Sequence, residues 1–180
     1  MMTTMTRCLV VALLAFGVVS AAAAEGLDYK ASYNGTVLDT SFDVYPDGFY
    51  SDVVRGSGQG TFGQADTVIV TEFVPVGFTG ECASPDDLRM FVLYSKAVGT
   101  YARGEQLYLS SGSGYLCLDL ATGDYEGQAD GVFDGGTGRF ANASGTWHTE
   151  FTGRNLTVPV GLPFGFGSIN GVTTGTLYLK

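Results

Sequence analysis

The sequence predicts an all-β domain closed into a barrel, on three observations. Glycine fills 27 of 180 positions, about twice its usual share of ~7%, and it is dispersed with no collagen period. Short apolar runs alternate with period two between clusters of turn residues. No amphipathic helix of useful length follows residue 24. Tyr94, Tyr101, Tyr108 and Tyr115 do recur every seven residues. Gly99, Gly104, Gly112 and Gly114 interrupt that span, and the companion apolar positions of a heptad are missing.

The first 24 residues are read separately, as an export signal. Arg7 supplies the positive start, residues 8–19 (CLVVALLAFGVV) form an apolar run, and Ala21 to Ala24 offer a small-residue cleavage site. The run is shorter than the ~18 residues a membrane-spanning helix needs. Cys8 precedes the apolar run rather than marking the cleavage point, which argues against a lipid anchor. Residues 25–180 remain, 156 in number, enough for one domain with a real core.

Strand candidates follow in close order through that domain. Tyr29 to Asp43 is one, interrupted by Asn34-Gly35, a hairpin-type dipeptide. Pro46-Asp47-Gly48 is turn chemistry before Phe49 to Val54. A glycine-rich stretch from Gly56 to Gly63 leads to Thr67 to Val74. Leu88 to Tyr94, Gln106 to Ser110 and Tyr115 to Leu120 come next. In Tyr125 to Phe133 one face carries Tyr125, Gly127, Ala129, Gly131 and Phe133. Gly145 to Thr152 and Val172 to Leu179 complete eight to ten strands. Regular short strands with glycine turns fit a sandwich or a barrel, and glycine inside long strands favours the barrel, whose sheet must coil tightly. Pro75, Pro85 and residues 159–167 read as longer loops over the barrel mouth.

Charge and cysteine narrow the partners. The chain carries 9 Lys and Arg against 18 Asp and Glu, a net charge of −9, and loss of Arg7 with the leader makes it −10. Such a surface repels phosphate backbones and anionic lipid heads, so no nucleic acid is expected as a partner, and no membrane anchor. Cys82 and Cys117 survive cleavage. In an oxidising compartment an even count favours a disulfide over a metal site, which would need more ligands at shorter spacing. The compartment expected is secreted or periplasmic.

Residues 135–145, Gly135-Gly136-Thr137-Gly138-Arg139-Phe140-Ala141-Asn142-Ala143-Ser144-Gly145, resemble the GGTGRFxxAxG signature of the allene oxide cyclase-like barrel superfamily, to which plant dirigent proteins and many exported bacterial proteins belong. Gly58 to Gly63, the Ala102 to Tyr108 segment and the glycine-bearing last strand from Gly171 agree in order. The resemblance implies an antiparallel, roughly eight-stranded barrel with a central cavity. It implies action by confining hydrophobic, oxygenated small molecules, and no catalytic residue of those families maps onto this chain. Physically, Asp134-Gly135-Gly136 suits a turn with positive φ, with Arg139 and Phe140 on opposite sides of the strand that follows. A phosphate cradle would need a helix N-terminus where strand is expected.

The chemistry-bearing residues are few. His148 is the single histidine; it alternates with Trp147, Thr149 and Phe151, so if those face the cavity it faces solvent. No Gly-x-Ser-x-Gly elbow occurs. Asp39, Asp43 and Asp47 lack calcium-loop spacing, and three Asn sequons, at Asn34, Asn142 and Asn155, matter only in a host that glycosylates. No metal and no organic cofactor are expected. The aromatic residues carry the positive signal, because tyrosine offers a ring and a hydroxyl to an enclosed ligand. Tyr101, Tyr108, Tyr125, Trp147 and Phe151 are the wall candidates for a small hydrophobic molecule, with core packing as their alternative. A cofactor-free cyclase or dirigent-type enzyme and a structural barrel with a packed interior are the other two function classes. The leader is testable alone: the exported protein should have an intact mass beginning at Glu25, and a retained 8–19 segment would overturn the compartment expected here.

Overall fold

Bending a sheet into a narrow cylinder crowds every inward side chain, and this chain relieves the crowding with glycine. The computed structural model describes residues 25–39, 50–157 and 165–179. Its strands are β1 (Leu27–Asp39), β2 (Tyr50–Gly60), β3 (Gly63–Gly77), β4 (Leu88–Tyr101), β5 (Gln106–Leu118), β6 (Tyr125–Gly136), β7 (Ser144–Thr157) and β8 (Gly165–Tyr178). Each pairs antiparallel with the next, and β8 returns to β1 to close the barrel. A 3-10 turn at Gly138–Phe140 is the one helical element among the described residues.

The strands are fewer and longer than the local signals suggest. Asn34-Gly35 makes no hairpin: β1 runs through it, with Asn34 opposite Ser57 and Asn170. Pairing on both sides overrides the dipeptide's turn tendency, and Gly35 serves close approach, since a Cβ there would lie 2.5 Å from the Arg55 carbonyl oxygen. The Gln106 and Tyr115 runs join as β5 across a bulge between Ser111 and Ser113, eased by Gly114 at φ +147°. Pro75 is not in a loop; it sits in β3 beside a register shift, where a missing N–H is tolerated.

Inward positions alternate rings with glycines around the circumference. One ring of neighbours runs Gly127, Phe151, Gly171, Tyr33, Gly58, and another runs Gly131, Trp147, Gly175, Tyr29. Each ring lies over the bare backbone beside it. A Cβ on Gly131 would sit 2.4 Å from the Trp147 ring and 2.1 Å from the Ser110 carbonyl oxygen, and one on Gly171 would sit 2.4 Å from the Tyr33 ring.

The two ends of the barrel differ. At the lower end short connections close the interior, and Phe62, Tyr101 and Phe140 pack edge to face or tilted at 5.1–6.3 Å. Residues 135–145 build this plug. Gly135 and Gly138 take positive φ, +81° and +58°, which carries the chain into the 3-10 turn and drops Phe140 into the core. Arg139 stays outside with its guanidinium 5.0 Å over Phe62, 5.6 Å over Tyr101 and 4.8 Å over Phe140, and pairs with Glu105 at 3.2 Å. Two expectations change here. Arg139 and Phe140 belong to the turn, not to a strand, because β7 starts only at Ser144. Gly136 is not left-handed; it is glycine because a Cβ would meet the Gln106 carbonyl oxygen at 2.0 Å.

At the upper end the connections are longer. Cys82 and Cys117 are joined, with Cα atoms 5.8 Å apart, and the bond pins the 78–87 loop to β5 across a separation of 35 residues. On the chain-entropy account such a link stabilises by about 3–4 kcal/mol. Arg89 supports the same loop: it pairs with Glu81 and lies between Phe91 and Tyr115, 5.2 and 4.9 Å from their centroids. Asp119 organises the next turn by accepting from the Ala121 N–H at 2.7 Å and the Thr122 hydroxyl at 2.8 Å. The leader, residues 40–49 with Asp43 and Asp47, and residues 158–164 lie outside the described residues; 165–167 begin β8.

One comparison isolates the ring-over-glycine packing. Gly131→Ala forces a methyl group against both a ring and a backbone carbonyl and should destabilise by about 1–3 kcal/mol. Gly99→Ala meets only Tyr101 and Ala65 at 3.8 and 3.9 Å, and should leave stability unchanged or raised by about 0.5 kcal/mol through the unfolded chain. Denaturant midpoints of the two variants check this; equal midpoints would remove the packing argument.

Candidate functional site

Between the lower plug and the upper loops the barrel keeps two adjoining chambers. The upper has a volume of about 80 Å³ and the lower about 60 Å³. Tyr33, Ile69, Ala97, Leu109 and Thr173 line both and form the partition. The period-two alternation of β3 places Ile69, Thr71 and Phe73 on the inner face, and that of β7 does the same for Trp147, Thr149 and Phe151.

The upper chamber has an apolar shell with a polar belt at mid-height. Thr71 and Ser95 share a hydrogen bond of 3.1 Å. Opposite them, Thr173 donates to Thr149 at 3.1 Å, and Thr149 donates to the Val172 carbonyl at 3.2 Å. Tyr33 is hydrogen-bonded to Thr149, and the Asp52 side chain reaches the same space. Polar groups buried in pairs cost little, whereas unmatched ones would cost 1–3 kcal/mol each. Burial pushes the Tyr33 phenol above its ordinary range; Thr149 works against that shift, and the Asp52 carboxylate adds to it. Tyr125 is raised further, first by burial and then by Asp52 and Tyr33.

The five wall candidates divide. Tyr125, Trp147 and Phe151 come together in the upper chamber. Tyr125 donates to the Ser168 carbonyl at 3.1 Å and the Trp147 indole N–H donates to the Val132 carbonyl at 2.9 Å, so each presents ring rather than donor to the space. Tyr101 lines the lower chamber and belongs to the plug. Tyr108 lines neither. It alternates outward between Leu107 and Leu109, and its hydroxyl donates to Gln106 Oε1 at 2.9 Å. His148 faces outward, as the alternation of β7 required, with Nδ1 2.8 Å from Asp130. The belt residues Tyr33, Asp52, Thr71, Ser95 and Thr173 lie outside the sequence-based wall candidates. Their signal was present, since Thr71 and Thr173 interrupt inward apolar positions at period two, but a hydroxyl in a strand is common and marks nothing by itself.

Among the described residues no group of three His, Cys, Asp or Glu could hold a metal ion. A wider concavity lies elsewhere, an open groove of about 640 Å³ on the outer wall of β5, β6, β7, β8 and β1. Fold and chambers together define a closed, eight-stranded antiparallel barrel with a small, belted interior. No protein-family model matches the chain, and no curated protein matches it. Among solved structures it is similar to a pterocarpan synthase dirigent protein, with 7% identity over 84% of this chain and 88% of that chain, at a TM-score of 0.30. A likeness that loose adds nothing to the barrel geometry above.

The buried phenols give a pH dependence. Burial raises Tyr29, Tyr33, Tyr101 and Tyr125 above the ordinary value, which is about 10 in an unfolded chain. The folded state therefore holds these protons more tightly, and its stabilisation is complete below pH ~10 and lost as pH rises further. Tyrosinate absorbance should show these four phenols ionising only together with loss of circular dichroism. Ten phenols titrating while the barrel stays folded would contradict the burial argument.

Proposed function

We propose that the barrel works outside the cytosol as a binder of a small, largely apolar molecule carrying one polar group, held in the upper chamber. The observation that supports this is the chamber itself, with rings and aliphatic side chains above and below a belt of hydroxyls and the Asp52 carboxylate. Sites of this character orient a ligand by a few polar groups in an apolar wall. The disulfide supports an oxidising compartment. Volume bounds the ligand. About 80 Å³ is well below the 300–1,000 Å³ of drug-sized sites and below the ~150 Å³ of an engineered cavity that admits benzene. The ligand is a molecule of a few heavy atoms, a short-chain alcohol or ketone in class, entering from the loop-bearing end. A cofactor-free enzyme of the cyclase or dirigent type would use the same chamber, with Asp52 beside the Tyr33 and Tyr125 phenols as its acid–base group.

A structural barrel with a packed interior is the second reading, favoured by the ring-over-glycine packing that leaves so little space. Trp147 decides between them, because the single tryptophan of the chain lines the chamber. Titration with short-chain alcohols and ketones should change its fluorescence saturably, and Ala97→Leu, which fills the partition, should abolish the change without loss of the cooperative melt. If no probe alters the signal, and native mass spectrometry of protein from its own host finds no retained molecule, the packed-interior reading replaces the binding one.

A further inference from the structure

We infer that the outer groove is a second, independent binding site, and that its ligand is a short amino-sugar oligosaccharide. Two rows of outward side chains cross adjacent strands, the first five of them and the second four. Register places Tyr115, Gln128, Glu150, Val172 and Ser32 side by side in one row. Glu126, Thr152, Asn170 and Asn34 form the other. Between the rows the inward-facing positions, Gly127 and Gly171 among them, leave bare backbone as the floor of an open, shallow concavity of about 640 Å³, suited to an extended ligand that lies along the wall.

The chemistry of the rows selects the ligand. Amides, hydroxyls and carboxylates both donate and accept, which matches the paired hydroxyls of a sugar ring. Tyr115 offers a ring at one end, with the Arg89 guanidinium 4.9 Å from its centroid. A phenolic ring suits a ligand with one apolar face and a polar edge. The side chains of Asn34, Gln128, Asn170 and Glu126 make no hydrogen bond or ion pair among the described residues, so they stand available in an extended array. Charge sets the preference within sugars. Two carboxylates, Glu126 and Glu150, face the groove and no Lys or Arg lines it, in a chain of net charge −9. His148 Nε2 lies 3.7 Å from Glu150 Oε1 at the edge, with its other nitrogen on Asp130. A cleft of one sign concentrates the opposite charge and repels its own, which favours protonated amino sugars and rejects uronic acids.

The test uses the full exported chain and three trisaccharides: glucosamine trimer, cellotriose and trigalacturonate. Calorimetry at low salt should find binding of the glucosamine trimer, cellotriose weaker by about tenfold, and trigalacturonate undetectable. The double variant E126Q/E150Q should lower affinity for the glucosamine trimer to the cellotriose level while leaving the melting temperature unchanged. Tyr115→Ala should weaken both sugars that bind. Absence of any sugar binding at millimolar concentration, equal affinity for all three, or an unaltered preference in the double variant would each overturn the inference. The result is separable from the chamber reading, because Trp147 fluorescence reports the interior and the groove lies outside it.

Discussion

Everything inside this barrel follows from ring placement against bare backbone. A closed sheet of eight strands leaves an interior only wide enough for side chains to fill, and this chain sends large aromatic residues into it. Tyr29, Tyr33, Tyr125, Trp147 and Phe151 fit because their neighbours across the strands are glycine. The arrangement fixes the size of the chambers. Rings lying flat against the wall leave a central space, but a thin one, divided at Tyr33. It also fixes the donors: Tyr125 and Trp147 turn their polar atoms to wall carbonyls, so the polarity of the interior comes from the hydroxyl belt and Asp52. Chamber polarity is thus set by small residues and chamber size by large ones.

The same constraint reaches the outer surface. Where Gly127, Phe151, Gly171 and Tyr33 turn inward, the wall shows backbone outside, and the outer side chains of the neighbouring positions stand around it. The lower plug obeys a different logic. There the crowding is met by a 3-10 turn that buries Phe140, with Arg139 laid over three rings and tied to Glu105. Residues 135–145 therefore do structural work at the sealed end, far from the loops at the other.

Much of the architecture was legible in the sequence because it rests on period-two alternation. Tyr125 to Phe133 shows its inner face directly, and Trp147, Thr149 and Phe151 show theirs. The Cys82–Cys117 pairing was legible from count and compartment. Three things were not. The continuity of β1 through Asn34-Gly35 depends on partners more than 20 residues away on each side, which a dipeptide preference does not register. The need for glycine at 136 comes from the nearness of the Gln106 carbonyl, which the turn chemistry of Asp134-Gly135-Gly136 does not register. For Tyr108, composition marks an aromatic residue but not its phase; Leu107 and Leu109 on either side carry that phase. The hydroxyl belt escaped notice since its members acquire meaning only when β3, β4, β7 and β8 face one another across the interior.

The seam between β1 and β8 sets this barrel apart from a simple run of hairpins. Every other pairing joins strands adjacent in the chain, so seven of the eight ladders form from short-range contacts, and one alone brings Leu27 beside Leu177. Closing that span is the longest-range step in assembling the cylinder. Topologically, the position of the seam is arbitrary. A short linker bridging it would make an eighth connection of the same kind as the other seven, and the chain could then be opened at an upper loop to give a permuted barrel with identical walls. The order of the strands in the gene and the order around the cylinder are, in this protein, separable properties.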